Sequence, residues 1–243
     1  MTSRIQLHLA ARGGQSSAVA GRLDALTDRL IRSSALRGAG PARAVGLVHT
    51  PNDPFPAGYP GMRPFDAMLE LELLDGDAES APLLEAVRGL GDSLDEHVHL
   101  DLSCALVGVP NTIMPIEGGR PRPARYMYVM RRKAGTTHAQ YIDYYFNHHK
   151  RFGFRAPRHQ GYVQFHVDGS ASEAAARAVG FGLFRVDSIS EFHLESLAAW
   201  LAVMAVNDDQ EAVTADSIAD EELFMDRANS VAYVCDNVVV KSA

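Results

Sequence analysis

One order of elements is legible twice in this chain, and that repetition constrains the fold more than any single motif. In the first half, residues 4–11 alternate as a strand does, and residues 17–36 carry Val19, Leu23, Leu26, Leu30 and Ile31 at helical spacing. Residues 44–50 and 65–74 read as strands, the second alternating through Met68, Glu70 and Glu72. Residues 81–96 read as a helix with Leu83, Leu84, Val87 and Leu90 on one face, and residues 100–109 close the half as a strand. The cluster GGRPRP at 118–123 continues neither helix nor sheet and marks a linker. Beyond it, residues 125–132 read as a strand, 137–155 as a helix, and 161–167 and 179–186 as strands. A helix over 190–206, more helix over 216–224 and a strand over 230–240 complete the chain.

Each half is thus strand–helix–strand–strand–helix–strand, the ferredoxin-like order. The expected fold is α+β, with tandem βαββαβ repeats at residues 1–120 and 121–243. Two helices cover one face of each four-stranded antiparallel sheet and leave the other bare. Tyr162, Gln164 and His166 alternate with Val163, Phe165 and Val167, giving that sheet one apolar face and one bearing large polar groups. The economical solution sets the two sheets face to face around a cavity lined by those polar and aromatic groups, an intramolecular pseudo-dimer.

A net charge of −7 with histidine neutral disfavours non-specific binding to nucleic acid or an anionic membrane surface. The start MTSRIQLHLAARGG has too short an apolar run for a signal peptide, and no stretch approaches ~18 apolar residues. A soluble cytoplasmic protein is the expectation. Cys104 and Cys235 are the only cysteines, which fits a reducing compartment and inert buried thiols in the middle of equivalent strands.

Chemistry concentrates in RRKAGTTHAQYIDYYFNHHKRF, residues 131–152. A basic strand end passes through a Gly-containing turn to an N-cap threonine and a helix. Tyr141, Tyr145 and His149 follow at i, i+4 spacing, so they stack along one inward stripe. His149 is the strongest candidate for a general base or acid, because modest burial moves an imidazole across neutrality. His148 lies 100° round the helix and suits its C-terminal carbonyls. Tyr145, one turn below His149, is the first choice of donor to a substrate carbonyl, with Tyr141 and Tyr144 beside it. Gln164 and His166 share a strand face with Tyr162 and orient a substrate oxygen if that face meets the cavity. Arg131 or Arg132, ending a strand, suits an anionic substrate group.

This second half resembles the EthD family of the dimeric α+β barrel superfamily over about residues 125–240. The resemblance rests on RRKAGTT, on Tyr141, Tyr144, Tyr145 and His149 of the helix, on FRVDSISEF, and on ELFMDRANSV leading to the last strand. The first half departs from the pattern: its helix ends in LIRSSALRGAG, with no aromatic–histidine stripe. As a degenerate copy it implies one working cavity and one decayed one. The insert PNDPFPAGYPGMRPF, residues 51–65, is then a candidate lid.

Other signals carry less. GDSL at 91–94 falls inside a helical pattern, so Ser93 is no esterase nucleophile. Asp95, His97, His99 and Asp101 alternate and would share a face only on a fully extended segment; no metal site is assigned. GFG at 180–182 lacks the third glycine of a nucleotide fingerprint.

The resemblance implies a small-molecule protein whose relatives include cofactor-free isomerases, cyclases, lyases and oxygenases, and haem-using enzymes. The leading expectation is a cofactor-independent lyase, isomerase or cyclase acting on a small aromatic, lactone-like or polyketide-like molecule. His149 moves a proton next to a carbonyl, and Tyr145 or His166 stabilises the enolate. The alternatives are haem bound through His148, His149 or His166, and a non-catalytic binding protein. Exposed sheet edges leave room for a homodimer.

Overall fold

Alternation and helical spacing resolve into a single eight-stranded antiparallel barrel. The computed structural model describes residues 3–55, 65–75, 80–156, 159–206 and 210–243. The strands are β1 (Ser3–Leu9), β2 (Ala42–His49), β3 (Ala67–Leu73), β4 (Cys104–Met114), β5 (Ala124–Met130), β6 (Tyr162–Asp168), β7 (Ser188–Leu194) and β8 (Val231–Ser242). The helices are α1 (Ser16–Ile31), α2 (Ala81–Ala86), α3 (His138–Tyr144), α4 (Arg151–Arg155), α5 (Gly169–Val179), α6 (Leu197–Ala205) and α7 (Gln210–Phe224). Around the barrel the order is β1-β3-β2-β8-β5-β7-β6-β4. The first four strands lie as β4-β1-β3-β2 and the last four as β8-β5-β7-β6, the same order shifted by four. They join through β2–β8 and β4–β6. Among the described residues every strand has two neighbours, so the free edges expected to pair between chains do not exist.

Strand periodicity sends one face outward to helices and the other into the barrel. Ile5, Leu7 and Leu9 of β1 and Leu69, Leu71 and Leu73 of β3 pack outward against Val19, Leu23, Leu26 and Leu30 of α1. The space between sheet and helix is therefore filled with aliphatic groups in the first half. Inside the barrel, Val45, Leu47, Met68, Met127, Phe165, Ile189 and Tyr233 form one apolar cluster. Beside it lies a buried ionic network of Arg4, Glu70, Glu72, Arg125 and Glu191.

Four expectations need correction. Val163, Phe165 and Val167 face the barrel interior, whereas Tyr162, Gln164 and His166 face the helix layer, so the sheets do not enclose the polar face. The barrel interior is occupied by apolar and ion-paired groups instead. Residues 179–186 are not a strand: Gly169–Val179 is a helix, started by the Asp168 side chain accepting from the Ala171 amide at 2.9 Å and stopped by Gly180 at φ 91°. The third strand of this half is Ser188–Leu194, where a helix was expected to begin. Its Glu191 and His193 suit the exposed side of a helix, but here they are buried against the ionic network. Finally, the helix over 81–96 ends at Ala86 and a 3-10 turn spans Leu100–Leu102, so Asp95, His97, His99 and Asp101 do not share a strand face.

Helix α5 also crosses between the halves. Its Ala175, Ala176 and Val179 pack with Leu83, Val87 and Leu90 over the first half's sheet. Cys104 opens β4, not the middle of a strand, and Cys235 lies within β8; both thiols are buried, and burial pushes both well above the ordinary range. No helix among the described residues is long and apolar enough to cross a membrane.

Buried neutral imidazoles give the fold a pH signature. Burial holds His8 at about 3 and, with His138 nearby, His166 at about 4. Between pH 6.5 and 4.5 the unfolded chain binds protons at these positions while the folded chain does not, so stability falls with pH. The slope is about 1.4 kcal/mol per pH unit for each such histidine. Thermal melts between pH 7 and 4.5 should show a steady drop in Tm; a flat profile would mean that these rings protonate freely in the folded chain.

Candidate active site

The helix that carries the aromatic–histidine stripe does not run evenly. Thr137 caps it in a capping box with Gln140, and α3 then gives way to one π-helical turn, Tyr145–His149, before α4. Such turns often mark functional sites, because they re-aim side chains and leave a carbonyl to be satisfied otherwise. Gln164 does this here, donating from Nε2 to the Tyr145 carbonyl at 3.2 Å and to the Tyr162 hydroxyl at 2.8 Å. Past the turn, Gly153 lets α4 close onto the sheet: a Cβ there would lie 2.4 Å from Cε1 of the fully buried Tyr162. Gly153→Ala is expected to cost about 1–3 kcal/mol by overpacking. Urea unfolding checks this, and an unchanged midpoint would show that the Tyr162 ring yields freely.

This arrangement aims His149 into a cavity of about 330 Å³ between the outer face of β5, β7 and β8 and helices α4, α6 and α7. Tyr126, Phe152, Tyr162, Phe192 and Trp200 form its aromatic walls, with Phe55 closing one side. Phe55 packs edge-on to Tyr126 with ring centroids 5.0 Å apart. Phe55 is the last described residue before 56–64, so most of the candidate lid lies outside the described residues.

His149 is 9% exposed and makes one side-chain hydrogen bond among the described residues, from Nδ1–H to Asp220 Oδ2 at 2.8 Å. The other Asp220 oxygen accepts from the Tyr144 hydroxyl at 3.0 Å and from Arg151 Nη2 at 2.7 Å. With both oxygens committed as acceptors, the carboxylate fixes the tautomer: the proton sits on Nδ1, and Nε2 carries the lone pair. Burial lowers the His149 pKa despite the opposing pull of Asp220, so the ring is neutral at pH 7. A neutral imidazole, oriented by a carboxylate and open at Nε2, is the arrangement of a general base. The same cavity holds Glu221, raised by burial against the opposing charge of Arg227, whose Nε lies 2.9 Å from Oε2.

The residues expected to act with His149 are only partly gathered here. Tyr162 lines the cavity, and Tyr144 supports it through Asp220. Tyr145 is fully buried and lines neither this cavity nor any other described. Its ring lies 5.9 Å from those of both His149 and His166, and its hydroxyl sits near those of Ser190 and Tyr162 without a well-formed hydrogen bond. Tyr141 donates to or accepts from Ser188 Oγ at 2.7 Å in the same wall. His148 is exposed, its ring against Tyr144. His166 and Arg132 line a separate groove on the far side of the tyrosine layer, where Arg132 is ion-paired to Asp187. Asp220 and Glu221 escaped the sequence reading. Their signal was two carboxylates on the buried stripe of a helix, between Val213 and Phe224.

The site thus sits on a closed antiparallel barrel with helices outside it, its imidazole facing a cavity under those helices. Residues 133–228, which supply His149, Asp220 and most of the cavity's helices, match the family model of the EthD domain. The solved structure of an anthrone oxidase-like protein shares the fold with a TM-score of 0.62 at 12% identity, over 100% of this chain and 93% of that one. A candidate monooxygenase of Fusobacterium nucleatum gives 0.52 at 8% identity, covering 99% and 94%. Another, from Lactobacillus acidophilus, gives 0.51 at 5% identity, covering 98% and 95%. At these identities the likeness is one of fold. No curated protein matches the chain in sequence.

Proposed function

We propose that the chain is an enzyme that removes a proton from carbon next to a carbonyl of a small, flat, largely aromatic molecule, as a cofactor-independent isomerase, lyase or cyclase does. The observation that carries this reading is His149 Nε2, bare and facing an aromatic cavity while Asp220 holds Nδ1–H. His149 takes the proton, and Asp220 stabilises the resulting imidazolium. Arg227 and the Ser190 hydroxyl, both on the cavity wall, face the charge that develops on the substrate oxygen. This replaces Tyr145 and His166 in the stabilising role. The His149 imidazolium then returns that proton to the same carbon or to another position of the enolate, which leaves the ring neutral again. In this reading the halves 1–120 and 121–243 are a duplicated pair, with strand order repeated and the His149 cavity built mainly from the second. The proposed partner is the small molecule; any dimer would have to meet through helices or loops.

Anthrone is a suitable probe: it is flat and uncharged, its methylene yields an enolate-type anion, and an anthrone oxidase-like protein shares the fold. Methylene exchange in deuterated buffer under nitrogen is expected to be fast with the wild-type protein and to fall to the buffer rate with His149→Ala. Rates within threefold of each other in the two proteins would sink the proposal. Admitting oxygen separates classes, because anthrone plus O₂ giving anthraquinone plus water would make the protein an oxidase. Tight binding without exchange would make it a binding protein.

A haem reading draws on the same observation, since metal-ligating imidazoles are also held through their second nitrogen by a carboxylate. The space argues against it. About 330 Å³ is at the lower end of small-molecule cavities, ~300–1,000 Å³, and the Glu221–Arg227 pair occupies one wall. The residues of the His149 cavity do not fit a tetrapyrrole. A Soret band on haem addition that His149→Ala abolishes would reverse this.

A further inference from the structure

A second recess lies on the other side of the Tyr145 ring. It has a volume of about 1210 Å³, runs between α3, α5 and the segment 183–187, and shares no lining residue with the His149 cavity. His166 lines it, and the tautomer of that ring follows from the hydrogen bonds around Gln164. The Gln164 amide must present its NH₂ to the Tyr145 carbonyl, an obligate acceptor, so its Oε1 faces His166 Nε2 at 3.2 Å. His166 therefore carries its proton on Nε2 and turns a bare Nδ1 away from Gln164.

The acids lining the recess are already engaged. Asp187 accepts from the Arg132 amide and guanidinium and from His138. Asp168 caps α5, Glu173 meets Arg177, and Asp143 accepts from Asn147. The exposed Arg185 lines the same recess and makes no ion pair among the described residues. Ile142, Phe146, Leu183 and Phe184 supply an apolar wall.

We propose that this recess is a second small-molecule site, for an aromatic carboxylate that also bears a hydroxyl. The hydroxyl donates to His166 Nδ1, the carboxylate pairs with Arg185, and the rings lie against Phe146 and Phe184. An imidazole nitrogen open as an acceptor and an uncommitted guanidinium, at one recess with an apolar wall, select both polar groups of such a ligand. The site does not depend on chemistry at His149.

The test is calorimetric titration of the full chain with 6-hydroxy-2-naphthoate, 2-naphthoate and 2-naphthol. The hydroxy acid is expected to bind at one site tightest of the three. Arg185→Gln should weaken both acids at least tenfold and leave 2-naphthol unchanged. His166→Leu should weaken both hydroxyl compounds and leave 2-naphthoate unchanged. His149→Ala should leave the binding of both acids unchanged, which separates this site from the cavity. Absence of saturable binding, affinities unmoved by both recess variants, or binding lost in His149→Ala would each overturn the proposal.

Discussion

Replacing Asp220 with Asn is expected to lower turnover by roughly 10²- to 10⁴-fold while the fold remains intact. The reason lies in the partners of the carboxylate. Tyr144 and Arg151 both donate to Oδ1, so an asparagine at this position keeps its oxygen there. Its NH₂ then falls where Oδ2 was, facing His149 Nδ1. That nitrogen must become the acceptor, the proton moves to Nε2, and the base is lost without any change of shape. Rates of anthrone exchange measure the loss, and the ring-nitrogen shifts of His149 report the tautomer independently. Asp220 is a positioning residue; if the variant kept full activity with the tautomer switched, His149 would not be the base.

The second large effect concerns the barrel interior. Glu191 is wholly buried and accepts from Arg4 at 2.9 and 3.0 Å and from Gln6 at 2.7 Å, with Arg125 at 3.4 Å. Arg125 in turn donates to Glu70 at 2.7 Å, and Arg4 to Glu72 at 3.1 Å. Arg4–Glu191, Gln6–Glu191 and Arg125–Glu70 run between the first and last four strands, so the network mates the two halves of the barrel. Glu191→Ala leaves two guanidinium groups short of a counter-charge in a dry interior, at an expected cost of about 3–5 kcal/mol. Urea unfolding measures it, with Glu191→Gln as the milder variant should the alanine form not accumulate. A loss below about 1 kcal/mol for both would mean that water compensates the arginines and that apolar packing alone joins the halves.

Much of this was legible in the chain because period-2 and period-3.6 patterns recur in the same order on both sides of residues 118–123. The Thr137 cap and the Tyr141–Tyr145–His149 stripe were read from spacing alone. What escaped was the direction of faces. Tyr162, Gln164 and His166 look like the lining of a space between two sheets, yet the same alternation serves a sheet whose polar face meets tyrosine-bearing helices. The strand Ser188–Leu194 was hidden because Glu191 and His193 point into the ionic interior, and a charged residue on an inward face breaks the expected alternation. Asp220 was hidden because one carboxylate on a helix looks solvated until its three donors, distant in sequence, arrive. The separation of His149 from His166 by a single ring is a three-dimensional fact that linear spacing does not encode.

Nitrogen-15 spectroscopy of the intact protein, with the His149 resonances assigned by comparison with His149→Ala, puts the whole scheme at risk in one experiment. An uncharged ring at neutral pH, bearing hydrogen at Nδ1 and none at Nε2, is what the geometry requires. A ring found doubly protonated there, or bearing its hydrogen at Nε2, contradicts it.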